Sequence, residues 1–171
     1  MILGLKNSYV QNLLRELCPK TFKGVFPIDL IPNLYSKKYR DKTISLVVNL
    51  DPHYKSGSHF VAFYKTKTNI VYFDSFGRQP NSELQKYLQN FILPIEISKS
   101  KIQSLLSNFC GFFCVGFILS QEIGFDLKKF LHLFHSCENE HHLIQNDNLI
   151  SCFIIKYIKT FVKNDRKFSK Q

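Results

Sequence analysis

The order of predicted elements marks this chain as one mixed helix-and-strand domain, and three observations lead there. Runs rich in β-branched and aromatic residues at 43–50, 60–65 and 70–73 read as strands, helical spacing governs 82–91 and 110–121, and turn residues separate these segments without a linker. At 171 residues the chain can bury one sizeable core around one site.

From the N-terminus, 1–17 reads as a short helix: Leu5, Leu13, Leu14 and Leu17 fall at near-helical spacing, Asn7 or Ser8 can start it, and Pro19 ends it. Gly24, Pro27 and Pro32 punctuate 22–32, which therefore reads as a well-packed loop. The second and third strands form a hairpin through Thr66-Lys67-Thr68-Asn69. Pro80-Asn81-Ser82 opens the next helix, with Glu83 early, where the helix dipole favours an acid. Pro94 stops it, and 95–97 is a further short strand. Asn108 or Ser107 is the expected cap of the apolar helix over 110–121, and Gly124 its terminator. Two more helices follow at 127–134 and 148–162, and the domain, 1–171, ends in a basic tail from about 163.

Composition narrows the function classes. With 44% hydrophobic residues, 17 Phe and no Trp, the chain is globular and its core is built on phenylalanine. Net charge is +10, and the excess gathers in Lys37-Lys38-Tyr39-Arg40 and again over 156–170. Lys37, Lys38, Arg40, Lys163, Arg166 and Lys167, interleaved with aromatic rings, are candidates for holding a polyanion through counterion release and stacking. Lysine-rich surfaces also serve solubility alone. The five cysteines (18, 110, 114, 137 and 152) are odd in number and follow no disulfide framework, and nothing at the start reads as a secretion signal. A reducing compartment is therefore expected, where a reactive thiol survives. The longest apolar run, 109–119, falls short of the ~20 residues a bilayer needs, so no membrane contact is expected.

Four residues carry chemistry. Cys110, in Asn108-Phe109-Cys110-Gly111, sits at a turn-to-helix junction, where unsatisfied N–H groups and the helix dipole favour a thiolate. Gly111 leaves room for a substrate backbone, and the Cys110 amide can face an oxyanion. A cysteine in an apolar run is more often core, as Cys114 one turn on is expected to be. His59 opens a strand after the Ser56-Gly57-Ser58 turn, which lets its ring project from the sheet edge into a cleft; imidazole has the pKa a general base needs. His53 is its nearest rival but lies in a Pro-flanked loop. Asp74 closes the paired strand, so the hairpin returns it beside His59, where a carboxylate fixes the tautomer and stabilises the imidazolium. An Asx turn before Ser75-Phe76-Gly77 would use the same residue. Gln103 carries an amide that can serve as a second oxyanion donor, although glutamines in loops are usually solvated. Imidazole, carboxylate, amide and thiol together are the parts of a thiol hydrolase. His132, His135, Cys137, His141 and His142 are too irregularly spaced for a structural zinc site, and no metal or cofactor is required.

The joint pattern resembles the adenovirus-type endopeptidase family, most nearly its relatives in virophages and polinton-like elements. The matching pieces are Gly24-Val25-Phe26 with Asp29 and Pro32, Asn49-Leu50-Asp51 followed by Gly57-Ser58-His59, Tyr72-Phe73-Asp74-Ser75-Phe76-Gly77, Ile102-Gln103, Asn108-Phe109-Cys110-Gly111-Phe112-Phe113-Cys114, and Gln145-Asn146-Asp147-Asn148. The resemblance implies an α+β fold with a central mixed sheet flanked by helices, the nucleophile on a buried helix, and papain-like site geometry in permuted chain order. It implies His59 as base, Asp74 as orienter, Gln103 as oxyanion donor and Cys110 as nucleophile, with Gly57, Phe60 and Gly111 lining the substrate cleft. It further implies cleavage of viral capsid and core precursors during virion maturation, by a monomer in the virion or the infected cell, in cytoplasm or nucleus. Phe60 stands where the family usually has Trp, which keeps an apolar wall but loses an indole N–H. Adenoviral members are activated by a disulfide-linked peptide, for which this chain offers no thiol between 18 and 110, whereas DNA stays a candidate activator. A ubiquitin- or SUMO-type isopeptidase shares the His, Asp, Gln, Cys-Gly order, and a basic DNA-associated virion protein with a relic site is the reading from another class.

Overall fold

The computed structural model describes residues 6–136 and 139–168, and side chains as far as residue 156. Helix α1 (Asn7–Leu17) leads into β1 (Phe22–Pro27), then β2 (Ile44–Asn49), β3 (Phe60–Lys65) and β4 (Ile70–Phe73). The helix α2 (Ser82–Gln89), strand β5 (Ile95–Ile97) and helices α3 (Cys110–Glu122), α4 (Leu127–Leu131) and α5 (Glu140–Phe168) follow. The five strands form one mixed sheet in the order β1-β2-β3-β4-β5, parallel at both margins and antiparallel in the middle. With helices on both faces, this is the expected α+β architecture.

Strand alternation explains the two layers. Val47, Phe60, Ala62, Tyr64, Val71 and Phe73 face α1, α3, α4 and α5, while Leu46, Val48, Val61, Phe63, Ile70 and Tyr72 face Leu84 and Leu88 of α2. Because both faces are covered, every residue of β2, β3 and β4 is buried. Phenylalanine does dominate the first layer: Phe73 stacks on Phe117 at 4.8 Å between centroids, and Phe130 meets both edge-on. Helix α3 is buried from Cys110 to Ser120, as an all-apolar helix must be.

Several expectations change. Residues 22–27 are not a loop but the edge strand β1, paired parallel to β2. Gly24 and Pro27, read as turn punctuation, fit it: Gly24 (φ 143°) lies within an irregularity of the β1–β2 register, and Pro27 ends an edge strand, where a missing N–H is tolerated. Helix α4 stops at Leu131 and α5 starts at Glu140, eight residues before the expected 148. Asn81, at the expected start, caps α2 by accepting from Leu84 N, and Asp126 caps α4 by accepting from Lys129 N. Helix α5 continues to Phe168 through most of the expected tail; the side chains of Lys163, Arg166 and Lys167, like residues 169–171, lie outside the described residues. Among the described residues no helix is long and apolar enough to cross a membrane.

The basic segment near residue 40 is fixed by a buried cation. Lys65 Nζ donates to the carbonyls of Tyr39, Arg40 and Lys42 at 3.1, 2.7 and 3.0 Å, tying the segment that carries Lys37, Lys38 and Arg40 to the end of β3. Lys65→Met keeps the stem and removes the three bonds. It is expected to lower stability by about 2 kcal/mol in urea unfolding; an unchanged midpoint would show the segment to be held otherwise.

Candidate active site

Hairpin register creates the first contact. Ala62 pairs with Phe73 across β3 and β4, so the residue past the end of β4 returns towards the residue before β3. His59 Nε2 and Asp74 Oδ1 meet at 2.8 Å. Both are buried, His59 with 9% of its surface exposed and Asp74 with 1%. Because β3 is the middle strand, His59 leaves the sheet at a strand end in its centre and not at its lateral edge; Leu50 N still pairs with the His59 carbonyl at 3.0 Å.

Both uses foreseen for Asp74 coexist. Its Oδ1 also accepts from Phe76 N at 2.8 Å, and Gly77 N reaches its carbonyl at 2.9 Å, so the residue closes an Asx turn while holding the imidazole. Oδ2 is buried without a donor, which leaves His59 and Phe76 to satisfy the carboxylate. Burial opposes the imidazolium, but its hydrogen bonds to Asp74 and then to Cys110 outweigh it, and His59 is raised to about 9. With Nε2 given to Asp74, Nδ1 is the nitrogen left for the thiol.

Cys110 is the first residue of α3. The expected side-chain cap is absent: Phe109 occupies the cap position and makes no side-chain bond, so neither Ser107 nor Asn108 consumes the first-turn N–H groups beside the sulfur. The thiol retains 8% exposure. Cys114, one turn on, has none, and burial pushes its pKa well above the ordinary thiol value. Cys18 is pushed up to about 12 by burial and by Glu122. Cys18, Cys110, Cys114 and Cys152 are all free thiols.

Gln103 is not solvated; it is 1% exposed. Ser75 Oγ donates to its Oε1 at 2.6 Å, and its Nε2 donates to the Ser107 carbonyl and Oγ at 3.1 and 3.3 Å. A carbonyl only accepts, so the amide orientation is determined. Ile102 N and Gln103 N both reach the Ser75 carbonyl. One strand end thus holds both Asp74 and the Gln103 segment.

The rival His53 has a different partner. Asp29 accepts from its backbone N at 2.9 Å and contacts its Nδ1 at 2.6 Å, pinning the β2–β3 loop to the segment after β1. The His53 hydrogen bond holds the Asp29 carboxyl below its usual value. In that loop Gly57 has φ 87°, and a Cβ there would stand 2.1 Å from Asn49 Nδ2.

Of the cleft candidates, Phe60 packs into the core under α3, and Gly111 is buried in the first turn of α3. The ring against the imidazole is Phe76, stacked at 4.8 Å and 27°, with the Arg78 guanidinium 4.8 Å from its centroid. Sequence reasoning assigned no site role to Ser75 or Phe76, although both stand in the same string as Asp74, and gave Ser107 only a capping one. Among the described residues no group of three His, Cys, Asp or Glu side chains gathers to hold a metal; Cys137 lies outside them.

No family model and no curated protein matches the sequence. Solved structures do share the fold. The ASFV pS273R protease superposes with a TM-score of 0.61 at 15% identity over 85% of this chain, and its Se-Met form with 0.59 at 16% over the same share. This chain spans 66% of that protease's length. An AvrA variant solved with IP6 and CoA overlaps less, at 17% identity over 68% of this chain and 48% of that one, TM-score 0.45. The α+β sheet with flanking helices is therefore a fold that this chain shares with the ASFV pS273R protease.

Two outcomes follow from the geometry. A His59 raised from about 6.5 to about 9 contributes stability that is fully present below pH 6.5 and lost as pH climbs through 9. The urea-unfolding gap between the native protein and Asp74→Asn should narrow between pH 7 and 10, and a constant gap would refute the pairing. Gly57→Ala should cost at least about 1 kcal/mol in the same assay, because the methyl group meets Asn49 and the backbone is left-handed.

Proposed function

We propose that this protein is a cysteine endopeptidase that cleaves capsid or core precursor polypeptides during virion maturation. The observation that carries the reading is the buried His59–Asp74 contact beside Cys110, on a fold shared with the ASFV pS273R protease. The resemblance to adenovirus-type endopeptidases supplies the precursor substrate.

The chemistry runs through this chain's own groups. The Cys110 thiol gives its proton to His59 as its sulfur adds to the scissile carbonyl carbon, and the carbonyl oxygen becomes an oxyanion facing the Cys110 N–H and the Gln103 amide. Collapse breaks the C–N bond while the His59 imidazolium gives its proton to the departing amine. A thioester remains. Neutral His59 then takes a proton from water, whose oxygen attacks the thioester and expels the thiolate. Asp74 holds the ring's tautomer throughout and stabilises its charged form. No metal takes part.

The basic segment with Lys37, Lys38 and Arg40, its aromatic Tyr39 flanked by the Lys38 and Lys42 ammonium groups at 5.3 and 5.8 Å, supports DNA as a further partner and activator. The enzyme acts as a monomer in the virion and the infected cell.

Cys110→Ala and His59→Ala should each abolish cleavage of a co-expressed capsid precursor followed by mass spectrometry. Gln103→Ala should lower kcat by about 10²–10³. Processing that persists in Cys110→Ala would reject the reading. Turnover of SUMO- or ubiquitin-derived probes with no cleavage of a glycine-rich capsid peptide would reassign the enzyme to the isopeptidases.

A further inference from the structure

Past the end of β4 the chain turns sharply, and the turn is locked from within and from outside. Asp74 Oδ1 accepts from Phe76 N at 2.8 Å, and the Asp74 carbonyl accepts from Gly77 N at 2.9 Å. Gly77 is left-handed, with φ 67°, and a Cβ on it would stand 2.8 Å from the backbone of Lys99 and Ser100, so glycine is what lets the two segments lie this close. The Ser75 carbonyl accepts from Ile102 N and Gln103 N. Residues 74–78 are therefore held as firmly as the hairpin that delivers them.

This turn presents two side chains beside the site. Phe76 is half-buried and stacked on the His59 ring at 4.8 Å between centroids. Arg78 is exposed, and its guanidinium carbon lies 4.8 Å from the centre of the Phe76 ring. Among the described residues Arg78 makes no hydrogen bond and no ion pair, so the ring alone holds its charged end. Lys99, exposed on the segment packed against Gly77, adds charge of the same sign.

A guanidinium resting on a ring keeps the N–H groups at its rim free, and that planar fork matches a carboxylate through two parallel bonds. The ring also restricts the long side chain before any ligand arrives, which lowers the entropy lost on binding. Two ring contacts of 4.8 Å each separate the guanidinium from the imidazole, so at most about three residues of extended chain, at roughly 3.3 Å each, lie between them. We infer that Arg78 is a specificity-determining residue that binds an Asp or Glu side chain of the substrate within about three residues of the scissile bond. Asn and Gln have the same shape as these acids but no charge and a single acceptor oxygen, so they are the discriminating comparison.

The inference rests on the protease reading, and the test separates the two. Quenched fluorescent glycine-rich capsid peptides, each with one Asp or its Asn counterpart within three positions of the scissile bond on either side, are compared by kcat/KM. At one position the Asp peptide should be cleaved about fivefold better than the Asn peptide, the scale of a charge pair at the surface, and the advantage should shrink at high salt. Arg78→Ala should bring that ratio to about one and Arg78→Glu should reverse it. Arg78 is exposed, so both variants are expected to fold. No preference at any position in the native protein, a preference that survives Arg78→Ala, or an equal loss on both peptides would overturn the inference. A flat ratio together with weaker binding of a labelled DNA oligonucleotide by Arg78→Ala would assign the guanidinium to DNA and overturn it as well. If Cys110→Ala is inactive and the ratio is flat, only the role of Arg78 falls. If Cys110→Ala cleaves the peptides normally, or the native protein cleaves none of them, both readings fall.

Discussion

The pairing of His59 with Asp74 is the constraint on which the rest of the site depends. It is made by a hairpin, not by the site itself: β3 and β4 are joined by a four-residue turn, and their register returns Asp74 to the mouth of β3. The hairpin is rigid because β3 and β4 are buried on both faces, between α3 and α2. A slip of one residue would send every side chain to the opposite face. The position of the imidazole is therefore as firm as the core.

The thiol is placed by a different device. Helix α3 fills the centre of one core layer, and its first residue is Cys110. The helix is required for packing, and its N-terminus brings unsatisfied N–H groups to the sulfur without an added cap. The same helix shows what that location confers, since Cys114 one turn later is an inert core residue. Core and site are thus two ends of one element.

Much of this was legible because the informative residues lie on or beside regular structure. Strands β2, β3 and β4, the hairpin turn and the Asn81 cap all follow from residue type and spacing, and with them the meeting of His59 and Asp74. Edge strand β1 was hidden because Gly24 and Pro27 carry the same signature in a bulged edge strand as in a loop. The early start of α5 was hidden because Glu140-His141-His142 shows no apolar period; contacts from Glu140 and Asn146 to Ser104, Ile102 and His135 hold the start of the helix. Phe76 as the ring on the imidazole could not be told from Phe60 by sequence, since the choice depends on which way the chain turns after Asp74. The burial of Gln103 likewise depends on Ser75 and Ser107, whose roles exist only once the chain is folded.

Two irregular segments, 51–58 and 98–109, carry the chain to His59 and to Cys110, and each is pinned by side chains from elsewhere: Asp29 for the first, Ser75 and α5 for the second. Such loops on a buried scaffold are where chemistry resides in many folds. The central claim is that location activates the Cys110 sulfur. Limited iodoacetamide at neutral pH, followed by peptide mass spectrometry, tests it most directly, because exposure and activation predict opposite orders. Cys110 should be alkylated ahead of the exposed Cys152; labelling of Cys152 first, with Cys110 unmodified, would contradict the account.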